Sequence, residues 1–190
     1  MSISRTCLAL VMSAVLSACG TLAPRDDAPQ APSFDLLGRM AVNYDGRALS
    51  SGVRWQHRDD GDEIWLLIPT GQALAHIRAG ATGATLTTAD RTEYHASDVQ
   101  SLTSRALGWE LPLGHLTWWV RGEAVPGMPF ADDQRDPHGR LVRLRQDGWL
   151  ITFVPPAEES EALPQRLDLA REGRQIRLVI DGWRLDGGVP

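Results

Sequence analysis

The sequence contains no lysine, so all 19 of its basic side chains are arginine, and the formal net charge is −5. Nucleic-acid binders normally carry a concentrated basic patch, and no such cluster is present here. The composition therefore argues against a nucleic-acid partner. With 190 residues and 43% hydrophobic content, the chain is typical of one globular domain, and we expect a monomer.

Familiar catalytic and metal-binding motifs are also missing. There is no Gly-x-Ser-x-Gly, His-Glu-x-x-His or Gly-x-x-x-x-Gly-Lys sequence, and the five histidines have no ligand spacing. The acidic loop 132–138 lacks the glycine and the final glutamate of a calcium loop. The sequence thus predicts no enzyme, no metal and no cofactor. A hydrolase would require a nucleophile and a base to converge among Ser97, Ser101, Ser104 and the histidines.

Long apolar runs are absent apart from residues 8–16, which are too few to span a bilayer but suit a signal peptide. The run ends in Leu16-Ser17-Ala18-Cys19, which resembles the bacterial lipobox. We therefore expect residues 1–18 to be a lipoprotein signal peptide and Cys19 to carry the lipid anchor. The alternative is an ordinary signal peptide cleaved after Ala18.

Two further observations agree with the lipobox. The residue after Cys19 is Gly20, whereas signals that retain lipoproteins at the inner membrane usually have aspartate there, so the outer membrane is predicted. Cys7 is lost with the signal peptide, which leaves one cysteine and no disulfide. Residues 19–33 contain three prolines and form a predicted tether, reaching on the order of 40 Å at about 3 Å per residue. Residues 34–190 form the predicted single domain.

Alternating apolar and polar residues predict strands in both halves of that domain. The first half contains residues 34–44, a turn at Asp45-Gly46, and residues 51–58, 63–68, 73–78, 82–88 and 91–95. Residues 63–68 are apolar on both faces, so both faces are expected to be covered. The second half contains a polar loop around residues 126–137, followed by strands at 141–146, 149–154, 163–170 and 175–181.

Helices are predicted between the two sets of strands. Ser97-Asp98-Val99-Gln100 has the form of a capping box that begins a helix ending near Gly108. A second helix follows within residues 107–122, a stretch that holds three of the seven tryptophans. Pro112 suits its first turn and Gly122 the position after its end. Leu113, Leu116, Trp119 and Val120 form an apolar stripe that must cover other apolar side chains.

The order of strands, helices and strands predicts an α+β fold, with the helices on one face of an antiparallel sheet. If the sheet is strongly curved, the space beneath the helices becomes an apolar pocket of ligand size. From the residues alone, a filled core and an open cavity both remain possible.

A set of short motifs spread over the chain resembles the LolB family of outer-membrane lipoprotein-localisation receptors. The motifs occur in family order and comprise Phe34-x-Leu36-x-Gly38-Arg39-Met40-Ala41-Val42, Trp55, Pro69-Thr70-Gly71, Tyr94-x-Ala96-x-Asp98, Leu107-Gly108-Trp109-x-Leu111-Pro112, Trp119-Val120-x-Gly122, Gln146-x-Gly148-Trp149, Leu163-Pro164 and Ile180-x-x-Trp183. The resemblance implies a curved antiparallel sheet of about ten or eleven strands, an incomplete β-barrel, with two or three short helices as a lid over an apolar cavity.

The resemblance also implies a function without catalysis. A receptor of this family accepts triacylated lipoproteins from a LolA-like periplasmic carrier and inserts them among the phospholipids of the inner leaflet of the outer membrane. The lipid-anchored receptor faces the periplasm. Candidate residues for the cavity and lid are Met40, Val42, Trp55, Leu66, Leu113, Leu116, Trp118, Trp119, Val120 and Trp149.

One position departs from the family pattern. The loop formed by Leu67, Ile68, Pro69, Thr70 and Gly71 corresponds to the family's membrane-insertion loop, which usually carries a bulky apolar residue between the proline and the glycine. Here Thr70 takes that place. Either a neighbouring residue substitutes for it, or insertion is weaker, or the loop is an ordinary hairpin turn. Two alternative functions also remain: binding of another apolar ligand, and a structural envelope lipoprotein with a filled core.

Overall fold

The computed structural model describes residues 29–156 and 163–185. The predicted signal peptide, Cys19 and the tether up to residue 28 lie outside the described residues. Among the described residues, no helix is both long enough and apolar enough to cross a membrane.

Eleven strands and two helices account for most of the described residues. In chain order they are β1 Phe34–Tyr44, β2 Arg47–Arg58, β3 Gly61–Leu67, β4 Ala73–Gly80, β5 Gly83–Thr88, β6 Glu93–Ala96, α1 Val99–Leu107, α2 Leu113–Trp119, β7 Phe130–Arg135, β8 Leu141–Gln146, β9 Trp149–Val154, β10 Arg166–Arg171 and β11 Arg174–Leu185.

All eleven strands belong to one antiparallel sheet in the order β6-β5-β4-β3-β2-β1-β11-β10-β9-β8-β7. The first and last strands of the chain therefore pair at its centre, with Met40 opposite Leu178, while β6 and β7 form the two free edges. This confirms the predicted fold class of an open antiparallel sheet with short helices.

Period-two alternation places one face of the sheet against the core. Phe34, Leu36, Met40 and Val42 of β1 are buried, whereas their sequence neighbours are more exposed. A bulge between Leu37 and Gly38 bends this central strand, and a Cβ at residue 38 would lie 2.3 Å from the Val179 carbonyl oxygen. Only glycine permits that approach, which is the physical reason for Gly38 in an otherwise regular strand.

Both helices pack on the core face of the sheet. Helix α1 lies against β5 and β6, and it ends at Gly108, whose φ of +78° is the left-handed conformation expected after a helix. Its first residue is preceded by Asp98, which caps the helix by accepting a hydrogen bond from the Ser101 backbone N–H. The predicted capping box is therefore wrong by one residue, because the carboxylate of Asp98 takes the place expected for the Ser97 hydroxyl.

Helix α2 confirms the predicted apolar stripe. Leu113, Leu116, Trp119 and Val120 are all buried, and Pro112 precedes the first turn. The Thr103 hydroxyl of α1 accepts a 2.9 Å hydrogen bond from the backbone N–H of Leu111, which holds the connection between the two helices.

Four strand predictions need correction. The polar loop around residues 126–137 contains β7, a fully exposed edge strand that lacks the apolar alternation of a half-buried one. Strand β10 begins at Arg166 rather than at residue 163, and β11 extends to Leu185. The outer face of β3 is only partly covered: Trp65 is half-buried, with the His76 ring stacked 4.9 Å away and the Arg54 guanidinium 5.1 Å from its centroid.

Candidate functional site

Nine of the ten predicted cavity and lid residues come together in one hydrophobic core. These nine are buried: Met40, Val42, Trp55, Leu66, Leu113, Leu116, Trp119, Val120 and Trp149. Trp118 is half-buried and lies outside that core. None of the four residues in the α2 stripe exposes more than 5% of its surface. The space directly beneath α2 is thus filled with side chains, which is the filled-core alternative that the sequence left open.

An apolar cavity of about 530 Å³ lies elsewhere, beside the C-terminal end of α1. The end of the β1–β2 hairpin forms one wall, and the end of α1 with the residues after it forms another. Its apolar lining consists of Val42, Tyr44, Ala48, Leu49, Leu74, Ala89, Ala106, Leu107, Gly108 and Trp109. Of the ten predicted cavity and lid residues, Val42 is the one that lines this cavity.

Polar side chains surround the mouth of the cavity. Arg47, Thr88 and Asp90 belong to its lining. Hydrogen bonds from the Thr88 hydroxyl and from the backbone and hydroxyl of Thr92 hold the pKa of the Asp90 carboxyl below its usual range. The mouth therefore carries a cation and an ionised carboxylate around an apolar interior.

Beside the cavity, an arginine of the sheet contacts the segment that joins the two helices. The Arg174 guanidinium at the start of β11 lies 3.2 Å from Glu110 Oε2 and 4.7 Å from the centroid of the Tyr44 ring. Tyr44 lines the cavity, and Glu110 directly follows Trp109, which also lines it. We call Tyr44, Glu110 and Arg174 the rim cluster.

The predicted insertion loop lies at the same end of the sheet as the cavity. Leu67 and Ile68 are half-buried, whereas Pro69, Thr70 and Gly71 are exposed. Hydrogen bonds of 2.9 Å from Ile68 N to Gln72 O and of 2.8 Å from Gly71 N to Ile68 O close the turn. Leu74, three residues after Gly71, lines the cavity, whereas none of the five loop residues does.

The opposite end of the sheet carries a larger and more polar cavity of about 810 Å³, to which Leu113 and Trp118 contribute. At its edge, His57 Nδ1 lies 2.8 Å from Asp62 Oδ1, and His57 Nε2 lies 3.2 Å from the Ala31 carbonyl oxygen. Asp62 also accepts a 2.6 Å hydrogen bond from Trp55 Nε1.

Those contacts favour the charged form of His57. A carbonyl and a carboxylate oxygen only accept, so both ring nitrogens donate when both bonds are made. Burial opposes that charge, but the hydrogen bond and the charge of Asp62 outweigh it, and together with Ala31 and Asp59 they raise the pKa of His57. His57 therefore fixes the end of the tether to the sheet.

Two of the three serines considered for a hydrolase make local hydrogen bonds. The hydroxyls of Ser97 and Ser101 both donate to Asp98 on the exposed start of α1. Between residues 29 and 156 and between 163 and 185, no three His, Cys, Asp or Glu side chains are grouped so as to hold a metal ion.

Sequence reasoning missed most of the cavity lining and the rim cluster. Val42 and Leu49 face each other across the β1–β2 hairpin, a pairing that the Asp45-Gly46 turn determines. The register of this hairpin could therefore have been used to predict which residues of β1 and β2 form that wall of the cavity. The pairing of Glu110 with Arg174 joins residues far apart in the chain and had no local signal.

Comparison with known proteins identifies the family. The family model described as "Outer membrane lipoprotein LolB" matches residues 32–183. The chain belongs to the LolB family. The resemblance expected from the motifs is thereby confirmed, and with it an outer-membrane, lipid-anchored lipoprotein involved in lipoprotein transport.

Three LolB relatives show the extent of the similarity. The outer-membrane lipoprotein LolB of Nitrosomonas europaea is 40% identical over 154 residues, covering 80% of this chain and 72% of that protein. The LolB of Thiobacillus denitrificans is 36% identical over 177 residues, covering 89% and 91%. The LolB of Chromobacterium violaceum is 33% identical over 186 residues, covering 95% and 99%.

Two solved structures share the fold at low sequence identity. A Vibrio parahaemolyticus domain assigned to outer-membrane lipoprotein sorting has a TM-score of 0.52 and 10% identity, covering 85% of this chain and 88% of its own. A DUF1329 family protein from Desulfovibrio piger has a TM-score of 0.53 and 11% identity, covering 87% and 90%. At this identity the likeness concerns the fold.

Proposed function

We propose that this LolB-family lipoprotein accepts triacylated lipoproteins from a LolA-like periplasmic carrier and releases them into the inner leaflet of the outer membrane. The observation that carries the proposal is the apolar cavity beside α1, which lies at the same end of the sheet as the loop of residues 67–71. An apolar interior protects acyl chains, and a loop at the same end can guide them to a bilayer. The role requires neither catalysis nor a cofactor.

Energetics supports a receptor that never releases its cargo into water. Exposing three acyl chains costs on the order of 30 kcal/mol at about 0.8 kcal/mol per methylene. Without a nucleotide at this membrane, transfer proceeds from the carrier to the receptor to the bilayer only if each site binds more favourably than the one before.

Loading must enlarge the cavity. A volume of about 530 Å³ lies within the range that accommodates one drug-sized ligand, and a triacyl group is larger. The apolar side chains beneath α2 adjoin the same core, so outward movement of α1 and α2 would add Leu113, Leu116 and Trp119 to the lining. In this proposal the predicted lid residues form part of the site in the loaded state.

The anchor and the loop complete the proposal. Cys19 would carry the lipid that holds the receptor in the outer membrane, and the tether would let the body reach both the carrier and the bilayer. Thr70 at the exposed loop tip would enter the interface less favourably than a large apolar side chain, so Ile68 and Leu67 would supply the apolar contact.

The proposal is tested by a transfer experiment. The mature lipidated chain is reconstituted in phospholipid vesicles, and a carrier loaded with a labelled triacylated lipoprotein is added. We expect the label to appear first on the receptor and then in the vesicles. Cargo that stays wholly on the carrier would refute the proposal.

The filled core beneath α2 favours a second candidate, a structural envelope lipoprotein that carries no cargo. Crosslinking α1 to β5 through introduced cysteines separates the two: it blocks transfer by a receptor but leaves a structural protein unaffected. Mass spectrometry of lipids extracted with the purified chain separates lipoprotein cargo from another apolar ligand, such as a glycolipid.

A further inference from the structure

The outer face of the sheet, opposite the face that packs against the helices, carries a large aromatic side chain outside the core. Trp65 on β3 lies between the buried Ile64 and Leu66, is half-buried itself and does not pack against the core cluster. The Arg54 guanidinium lies 5.1 Å from its ring centroid, and the His76 ring stacks on it at 4.9 Å with an interplanar angle of 9°. Side chains of two neighbouring strands thus hold this indole in place on the surface.

Trp65 belongs to a row of side chains that crosses four strands. The strand pairing places Leu37 of β1 opposite Arg54, Arg54 opposite Trp65, and Trp65 opposite His76. At about 4.8 Å between neighbouring strands, the row is roughly 14 Å long. Leu37 exposes 55% of its surface, the largest fraction of any large hydrophobic side chain in the described residues. We call Leu37, Arg54, Trp65 and His76 the outer row, and its exposed apolar groups indicate an interaction surface.

The charges around the outer row leave it with a cationic excess. The carboxylates on this face of β1 to β4 and of the adjacent β11 have partners: Asp35 with Arg58, Glu63 with His76, and Asp181 with Arg39. Among the described residues, no carboxylate pairs with the exposed Arg54 or with the exposed Arg78 of β4. The row therefore combines apolar surface with a guanidinium that is available to an anionic group.

The outer row continues into the loop of residues 67–71. Leu67 lies two positions after Trp65 on the same strand, about 7 Å away, and it also stays outside the core cluster. A Cβ at Gly52, the residue opposite it on β2, would lie 3.4 Å from Leu67 Cβ, so the Leu67 side chain lies over the outer face. The exposed loop tip at Pro69 and Thr70 follows directly.

The lipid anchor of the family makes a bilayer the partner that this face can always reach. An anchor at Cys19, ten residues before Pro29, keeps the body within about 30 Å of the membrane, since an extended chain spans about 3 Å per residue. Indole rings concentrate at the boundary between membrane and water, and an arginine there places its stem on apolar groups and its charge among phosphates. The outer row has both kinds of side chain.

We propose that the outer face of β1 to β4, centred on the outer row, is the surface that lies against the inner leaflet of the outer membrane. Leu37 and Trp65 lie at the level of the lipid headgroups, and the Arg54 guanidinium binds a lipid phosphate. The loop of residues 67–71 then enters the bilayer at the edge of this surface. The inference rests on the proposed function for the role of that loop, and it adds the orientation of the body on the membrane.

The test uses the full mature lipidated chain in vesicles of phosphatidylethanolamine and phosphatidylglycerol. Cys19 carries the lipid and the mature sequence has no other cysteine, so a single introduced cysteine can carry a fluorophore. Leu37→Cys places the label in the outer row. Phe130→Cys is the matched control, because Phe130 is 53% exposed but lies on the edge strand β7. Quenching by lipids that carry a nitroxide at the headgroup measures contact with the bilayer.

We expect the label at residue 37 to be quenched several-fold more strongly than the label at residue 130. Arg54→Gln and Trp65→Ala, each combined with Leu37→Cys, should reduce this quenching. Arg171→Gln should not, although it also removes an arginine that lies over a tryptophan, Trp149, in the other half of the sheet. If Arg54→Gln leaves the quenching unchanged, the phosphate contact is wrong.

Equal quenching at the two labelled positions would overturn the inference. A label at residue 37 that lipid does not quench, but that responds when the carrier is added, marks a protein interface and overturns it too. Transfer of a labelled lipoprotein is measured in the same vesicles: transfer without quenching at residue 37 refutes the orientation alone, whereas cargo that stays on the carrier refutes the proposed function.

Discussion

The indole of Trp119 in α2 donates a 2.9 Å hydrogen bond to the side-chain oxygen of Gln146 at the end of β8. The same oxygen accepts from Val125 N at 2.9 Å, and Gln146 Nε2 donates to the carbonyls of Val125 and Met128. One buried amide therefore joins the second helix, the following loop and the sheet.

Replacing Gln146 by leucine should destabilise the fold strongly. The change leaves the Trp119 indole, the Val125 N–H and two carbonyls without their partner in the core, and each buried unsatisfied group costs about 1–3 kcal/mol. Relaxation recovers part of this, so we expect the free energy of unfolding to fall by about 2–4 kcal/mol in urea denaturation. Gln134→Leu, on the exposed strand β7, should change it by less than about 0.5 kcal/mol. Equal losses in the two variants would contradict this account.

His57 predicts a pH-dependent stability. Its pKa is raised in the folded state, so its favourable contribution is fully present below the ordinary value of about 6.5 and is lost as the pH rises through the folded-state value. We expect the urea midpoint to decrease between about pH 6 and pH 8, and this part of the slope to disappear in His57→Gln.

The control for this pH dependence is His138→Gln, which changes an exposed histidine in the β7–β8 turn. It should retain the slope of the unaltered chain. The assignment to His57 is wrong if His57→Gln unfolds with an unchanged pH profile.

The rim cluster predicts an effect on the rate of ligand entry. Arg174 contacts both Glu110 and Tyr44, and the proposed outward movement of the helices would break the contact with Glu110. Arg174→Gln and Glu110→Gln should each speed uptake of an apolar fluorescent probe a few-fold in stopped-flow mixing. A partly exposed ion pair contributes about 1 kcal/mol or less, so stability should hardly change.

Arg177→Gln is the matched control for the rim cluster. Arg177 lies on the same strand as Arg174, β11, and pairs with Asp168, and neither Arg177 nor Asp168 lines the cavity. It should leave the uptake rate unchanged. The double variant of Arg174 and Glu110 should be no faster than either single variant; additive acceleration would show that the two side chains act separately.

Replacing Thr70 by a larger apolar residue should speed the release of cargo into the membrane. A leucine at this exposed loop tip adds apolar surface that the bilayer can bury, so Thr70→Leu should raise the rate of cargo release into vesicles several-fold, with cargo uptake from the carrier unchanged. The fluorescence of a labelled lipoprotein measures both steps.

Thr82→Leu provides the comparison for Thr70, since Thr82 is exposed in the β4–β5 turn at the opposite end of the sheet. It should have no effect on release. Identical acceleration by both variants would mean that general surface hydrophobicity, rather than the position of this loop, controls the step.

Local patterns predicted much of the fold because their causes are local. The alternation in residues 34–44 predicted β1, and Asp45-Gly46 determined the hairpin turn with Asp45 and Gly46 both at positive φ. Gly108 likewise marked the end of α1. Strand β7 was missed because every one of its residues is exposed, so no apolar periodicity accompanies it.

The sequence by itself determined ten of the eleven described strands, the two helices, the apolar stripe of α2 and the family. Tertiary structure alone decided that Leu113, Leu116 and Trp119 fill the core, and that the cavity lies where Leu107 and Trp109 meet the β1–β2 hairpin. Periodicity records which side of an element is apolar, but a cavity is the space left between elements. That space depends on how the sheet and helices pack, as do the acceptors of the Trp55 and Trp119 indoles.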